Sequence, residues 1–128
     1  MAMPSEIPKP GEGDGEHLTV AETLAEQVAV LCLAGELDHD TAPILRDALR
    51  RCEETGSKRV LVDLSELGFC DSTGLNLLLE ARLRAQERGA LVALVGMPAP
   101  VARLFKTTGA GTLFPQYASL ADAQVDGG

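Results

Sequence analysis

A chain of 128 residues suits one domain, large enough to bury a core without disulfides or a structural metal. Apolar residues make up 45% and aromatic residues 3%, with no Trp and one Tyr, so the core is built from Leu, Val and Ala and no aromatic platform for stacking bases or sugars is available. The net charge of -8, from 19 acidic and 11 basic residues, argues against direct nucleic-acid binding and against an anionic membrane surface, while it is compatible with a basic protein partner.

Residues 1–16 carry Pro4, Pro8, Pro10, Gly11, Gly13 and Gly15 among Glu6, Glu12, Asp14 and Glu16. Such a segment buries too little apolar surface to offset its ordering entropy, and a flexible acidic tail is expected. From His17 to Leu24 the pattern is that of an edge-like first strand. Gln27 to Leu33 is β-branched and apolar, a buried second strand, and the short Ala25-Glu26 link makes an antiparallel hairpin. Gly35-Glu36-Leu37-Asp38 is expected to turn the chain.

Asp40 or Thr41 is placed to cap the next helix, with Pro43 in its first turn, where a missing N–H costs little. Ile44, Leu45, Ala48, Leu49 and Cys52 form one apolar stripe, and Gly56 is placed to end the helix. Val60 to Leu64 reads as a third strand and Ser65 to Cys70 as a loop. The helix from Leu75 to Arg88 follows. Gly74, Leu78, Ala81 and Ala85 line one side, extended by Leu75, Leu79 and Leu83. Asn76, Glu80, Arg84 and Glu87 form the wet face, and Glu80 and Arg84 are at pairing distance along the helix. Ala90 to Val95 is apolar throughout, as in a central strand covered on both faces. Pro98 and Pro100 open a short helix bearing Val101, Leu104 and Phe105. A last strand is expected near Thr112 to Phe114, and Ser119 can cap a final helix with Leu120, Ala123 and Val125. The order β-β-α-β-α-β-α-β-α implies an α/β fold, with about five strands in a mixed, mostly parallel sheet and about four helices packed on it.

The chemistry-bearing residues exclude more than they include. Cys32, Cys52 and Cys70 are odd in number, widely spaced and in apolar contexts, which suits small buried hydrophobes with reduced thiols. His17 and His39 have no Cys or His neighbours at metal spacing, so no metal or cofactor is expected. The chain has no G-x-S-x-G elbow, no GxGxxG and no P-loop, and His39 is the one plausible base, in a different loop from any candidate nucleophile. A non-enzymatic role is expected. No apolar run approaches the ~20 residues of a membrane span and no secretory signal is visible, which points to the cytoplasm.

Asp71-Ser72-Thr73-Gly74 stands at the start of the strongest helix. Asp, Ser and Thr are all good caps, and many helices begin this way with no further role. A second role is compatible with the cap. With Asp71 capping, Ser72 is the first helical residue and its hydroxyl projects from the helix end. Gly74 leaves room for a partner's approach. A phosphate on Ser72 adds roughly -1.5 to -2 charges at a helix terminus that tolerates anions.

Three passages resemble the anti-sigma factor antagonists, single STAS domains of bacteria. They are Leu33 to Ala42 (Leu-Ala-Gly-Glu-Leu-Asp-His-Asp-Thr-Ala), Val60 to Ser65 with Phe69 to Leu75, and Pro100 to Phe105 with Thr108-Gly109. The likeness covers about residues 17–125 in the right order and spacing, and residues 17–126 are accordingly expected to be the STAS domain. The resemblance implies a protein that binds an anti-sigma factor, usually a serine kinase, and so releases a sigma factor. The kinase phosphorylates the antagonist to end binding, and a serine phosphatase resets it. It maps the acceptor to Ser72, with Thr73 the weaker candidate, and makes Asp38, His39, Asp71, Ser72, Thr73, Gly74, Leu75 and Asn76 partner contacts. A monomer or weak homodimer is expected. The alternative is a constitutive STAS scaffold module, stressosome-like or transporter-associated, that is not phosphorylated in use.

Overall fold

The computed structural model describes residues 17–127; the acidic tail expected at 1–16 lies outside the described residues. The elements are β1 (Leu18–Thr23), β2 (Val28–Leu37), α1 (Ala42–Thr55), β3 (Arg59–Cys70), α2 (Ser72–Glu87), β4 (Leu91–Val95), α3 (Ala99–Thr108), a 3-10 turn (Ala110–Leu113), β5 (Gln116–Tyr117) and α4 (Leu120–Gly127). One five-stranded sheet contains all these strands, and its spatial order is the chain order. β1 pairs antiparallel with β2, and β2, β3, β4 and β5 are parallel neighbours. The mixed α/β architecture read from the sequence is the one observed.

Right-handed crossovers that all step the same way along a sheet put their helices on one face. Hence α1, α2 and α3 share the main core with Leu31, Leu33, Leu37, Val60, Val62 and Leu64. α4 crosses the other face, where Ala123 packs with Leu61, Ala93 and Val95. Of the α1 stripe, Leu45, Ala48, Leu49 and Cys52 are buried, but Ile44 is exposed. Gly56 ends α1 in a left-handed conformation with φ 79°, as its position implied. Leu83, read as extending the apolar side of its helix, and Val125 of the final helix stand in solvent.

β2 runs on to Leu37, and β3 runs on to Cys70, so neither the turn expected at Gly35 nor the loop expected at Ser65 forms. Two register shifts explain this. Cys32 pairs with Asp63 but Ala34 with Glu66, and Gly35 pairs with Leu67 but Glu36 with Phe69. Each inserts an extra residue into β3, a bulge that breaks the alternation sequence reading relies on while the ladder continues. The bulges bring Leu64, Leu67 and Cys70 onto the same core-facing side despite their spacing of three. They also carry the strand ends far enough to place two helix starts side by side.

The C-terminal end departs from expectation too. Thr112 and Leu113 belong to the 3-10 turn, and the last strand is two residues further on, at Gln116–Tyr117. β4 is an interior strand, as its apolar run implied, with Val92 and Leu94 buried on one face and Ala93 and Val95 on the other; Leu91 at its start is exposed.

Candidate functional site

The site is built at the C-terminal ends of β2 and β3. Their register pairs Leu37 with Cys70, and the Asp71 N–H donates to the Leu37 carbonyl at 3.1 Å. Asp38 and Asp71, the residues just past each strand, are thereby held next to one another. Each then acts as a cap.

Asp71 has an extended backbone, and its Oδ1 accepts from the N–H groups of Thr73 at 2.9 Å and Gly74 at 3.2 Å. Its carbonyl accepts from Leu75 N–H at 3.0 Å. This satisfies the amides that a helix start leaves orphaned, except that of Ser72, which meets no acceptor among the described residues. Ser72 is therefore the first helical residue, exposed, with its hydroxyl beside its own free N–H. Thr73 is half-buried and Asn76 exposed.

Asp38 takes the capping role that the sequence assigned to Asp40 or Thr41. Its Oδ1 accepts from Asp40 N–H at 3.0 Å and Thr41 N–H at 3.1 Å, and its carbonyl accepts from Ala42 N–H at 2.8 Å. Thr41 is the residue before α1, yet its hydroxyl points backwards and donates to the Glu36 carbonyl at 2.8 Å. The Asp38 N–H donates to that same hydroxyl at 2.9 Å. The loop is thus fixed by local bonds, with His39 and Asp40 exposed at its tip.

Gly74 and Leu75 correct the reading from sequence. Both are buried, Leu75 at 4% exposure. A Cβ on Gly74 would lie 2.6 Å from Leu37 Cγ and 3.1 Å from Cys70 Sγ. The glycine lets α2 settle onto β2 and β3 and opens no path for a partner. Leu75 is a core residue. The exposed surface that remains comprises Ser72, Asn76, His39 and Asp40, with Asp38, Asp71 and Thr73 half-covered. Phe69 adds to it from the C-terminal end of β3. It is 48% exposed, pairs in register with exposed Glu36, and was given no role by sequence reasoning. Its place two residues before Asp71 in a strand, on the face away from Leu67, was the clue, hidden by the bulge at Gly68.

The thiol of Cys70, behind Gly74, is pushed up to about 12 by burial first and the Asp71 charge second. Cys52 is pushed up to about 11, mainly by burial. Cys32 is raised as well, by burial and then by Asp63. Among the described residues no three or more His, Cys, Asp or Glu side chains are grouped to hold a metal ion, and no helix is long and apolar enough to cross a membrane.

The family model described as "Mlab, STAS domain" matches residues 20–115. The anti-sigma-B factor antagonist of Listeria monocytogenes is 34% identical over 77 residues, 60% of this chain and 68% of that protein. The chain belongs to the STAS-domain family of anti-sigma factor antagonists. The STAS domain is also 27% identical to the anti-sigma-B factor antagonist of Staphylococcus aureus over 93 residues, 73% of this chain and 86% of that protein. Its fold matches the crystal structure of an anti-sigma factor antagonist from Mycobacterium paratuberculosis with a TM-score of 0.78 at 26% identity, covering 87% and 94% of the two chains.

Proposed function

We propose that this STAS domain, unphosphorylated, binds an anti-sigma factor that is a serine kinase, releases a sigma factor by doing so, and is switched off when that kinase phosphorylates Ser72. The observation that carries the reading is the exposed Ser72 hydroxyl at the first position of a helix whose cap leaves the Ser72 N–H without an acceptor among the described residues. The antagonist names of the relatives support the general role.

The physics of the switch follows from the cap. Oxygens of a phosphate on Ser72 accept from the free Ser72 N–H and sit at the positive end of α2, so the modified domain keeps its fold. The same phosphate adds roughly -1.5 to -2 charges beside Asp71 and Asp38. A partner surface matched to a neutral hydroxyl between two carboxylates then meets concentrated negative charge. Removal of the phosphate by a serine phosphatase restores the first state. Thr73 is the poorer acceptor, since it is half-buried against the helix turn.

The test is to incubate the protein with the cognate anti-sigma kinase and ATP and to map the phosphate by mass spectrometry. Modification at Ser72, abolished in Ser72→Ala, is expected. Undiminished modification of the Ser72→Ala protein would overturn the assignment.

A further inference from the structure

The acidic residues of this chain are unevenly placed. All 19 lie outside residues 88–121, a stretch that contains Arg88, Arg103 and Lys106. That stretch builds β4, α3, the 3-10 turn and β5, so these elements carry no carboxylate side chain of their own, and the neighbouring carboxylate is Asp63 of β3, paired in register with Val95. Two adjoining hollows lie there, of about 390 Å³ and about 490 Å³. They share Met97, Ala102 and Gln116, and together form a groove between α3 on one side and the 3-10 turn and β5 on the other.

The groove has an apolar bed and a basic rim. Met97, Ala102 and the buried Phe105 supply the bed. Among the described residues, Lys106 is the one charged residue lining either hollow. Arg103 stands one helical turn before Lys106 and is exposed beside it. Neither cation meets a carboxylate among the described residues, whereas Arg51 is held by Glu22 and Arg84 by Glu53. Gln116 is anchored, donating from Nε2 to the Gly111 carbonyl at 2.7 Å, which fixes one wall. An apolar bed with Lys106 and Arg103 on its rim, and no carboxylate among the described residues that line it, complements one chemistry: a protein segment in which acidic residues flank an apolar side chain.

We propose that this groove docks an acidic segment of a partner protein, an apolar side chain resting on Met97 and Ala102 and carboxylates reaching Lys106 and Arg103. The groove is lined by none of the residues around Ser72, so its fate in an experiment is separate from that of the switch.

The probe is the peptide Asp-Glu-Glu-Leu-Phe-Glu-Asp-Glu, acetylated and amidated, titrated into the full isotope-labelled chain. Backbone amide shifts are expected at Met97, Ala102, Lys106 and Gln116. Lys106→Glu with Arg103→Glu should weaken binding at least tenfold, as should replacing every acidic residue of the peptide by its amide; both changes leave the buried core untouched. Absence of groove shifts at millimolar peptide, or equal affinity for the charge-reversed protein, overturns the proposal. So does a tenfold gain in peptide affinity on neutralising Glu12, Asp14 and Glu16, which would assign the groove to the chain's own acidic residues in place of a partner.

Discussion

The Asp71 N–H donates to the Leu37 carbonyl, and that single bond sets two strand ends and two capping aspartates side by side. The Asp71 side chain then has the helix start to itself. Asp71→Ala should lower stability by about 1 kcal/mol, the usual cost of losing an N-cap, while Asp71→Asn should cost less because Asn also caps. Urea denaturation followed by circular dichroism measures both. Equal stability of all three proteins would show that the two amide bonds to Asp71 contribute nothing net.

Gly74→Ala places a methyl within 2.6 Å of Leu37 Cγ, and Leu37 is fully buried and cannot swing aside. The expected loss is about 1–3 kcal/mol. Leu37→Val, by shortening the opposing side chain, should cost less in the Gly74→Ala background than alone. A double-mutant cycle in urea reads this coupling. Additive effects would mean the two sites do not touch in solution.

Ser72→Asp puts a permanent carboxylate where the phosphate is proposed. The protein should unfold at the wild-type urea midpoint or slightly above it, because the charge lies at the positive end of α2. Its affinity for the anti-sigma kinase, measured by calorimetry, should fall at least tenfold. Wild-type affinity in this variant would remove charge as the switching element.

Arg84 holds Glu53 through two bonds of 2.7 Å, and the hydrogen bond from Arg84 draws the Glu53 carboxyl below its ordinary value, against a smaller opposing effect of burial. A carboxyl whose folded value is depressed contributes stability above its unfolded value, and that contribution disappears as pH falls through the folded one. Arg84→Ala should therefore lose a little stability at neutral pH and none once the carboxyl is protonated in both states. Arg84 is 63% exposed, so the effect should be smaller than that of Asp71→Ala. Urea midpoints at pH 7 and pH 2.5 give the comparison; a gap between the two proteins that persists at pH 2.5 would mean that Arg84 stabilises the fold by something other than its pairing with the Glu53 carboxylate.

With Cys52 pushed up to about 11 and Cys70 to about 12, their thiolate fractions at pH 8 are on the order of one in a thousand or less. A disulfide reagent such as DTNB should label these two at least tenfold more slowly in the native protein than in urea. Rapid labelling of all three cysteines in the native state would show that the packing of α1 and α2 on the sheet opens readily.

Much of the site was legible because it is local. Asp71 caps α2 within three residues, and the preference of Asp for that place is a property of the backbone nearby. The element order was legible for the same reason, since strand and helix periods are short. What depended on distant neighbours was not. The bulges opposite Leu33 and near Gly68 exist because β2 keeps the register of β3, and the polar run Ser65-Glu66 read alone is a loop. Gly74 reads as an opening until Leu37, far away in sequence, fills the space above it. Arg84 has Glu80 one turn back, yet it reaches across to Glu53 on α1, where two parallel bonds outdo one contact along the helix.

The identity between chain order and sheet order has a consequence for the birth of the protein. No strand must wait for a later one to be inserted between itself and its neighbour. As the chain leaves the ribosome, each strand finds the growing edge already formed and adds to it, with its helix folding onto the face already started. Nascent chains halted after β3, after β4 and after α4 should gain protease resistance in that sequence, the β1–β3 half first. Protection arising all at once on completion of α4 would mean that the second face must be covered before the first can hold.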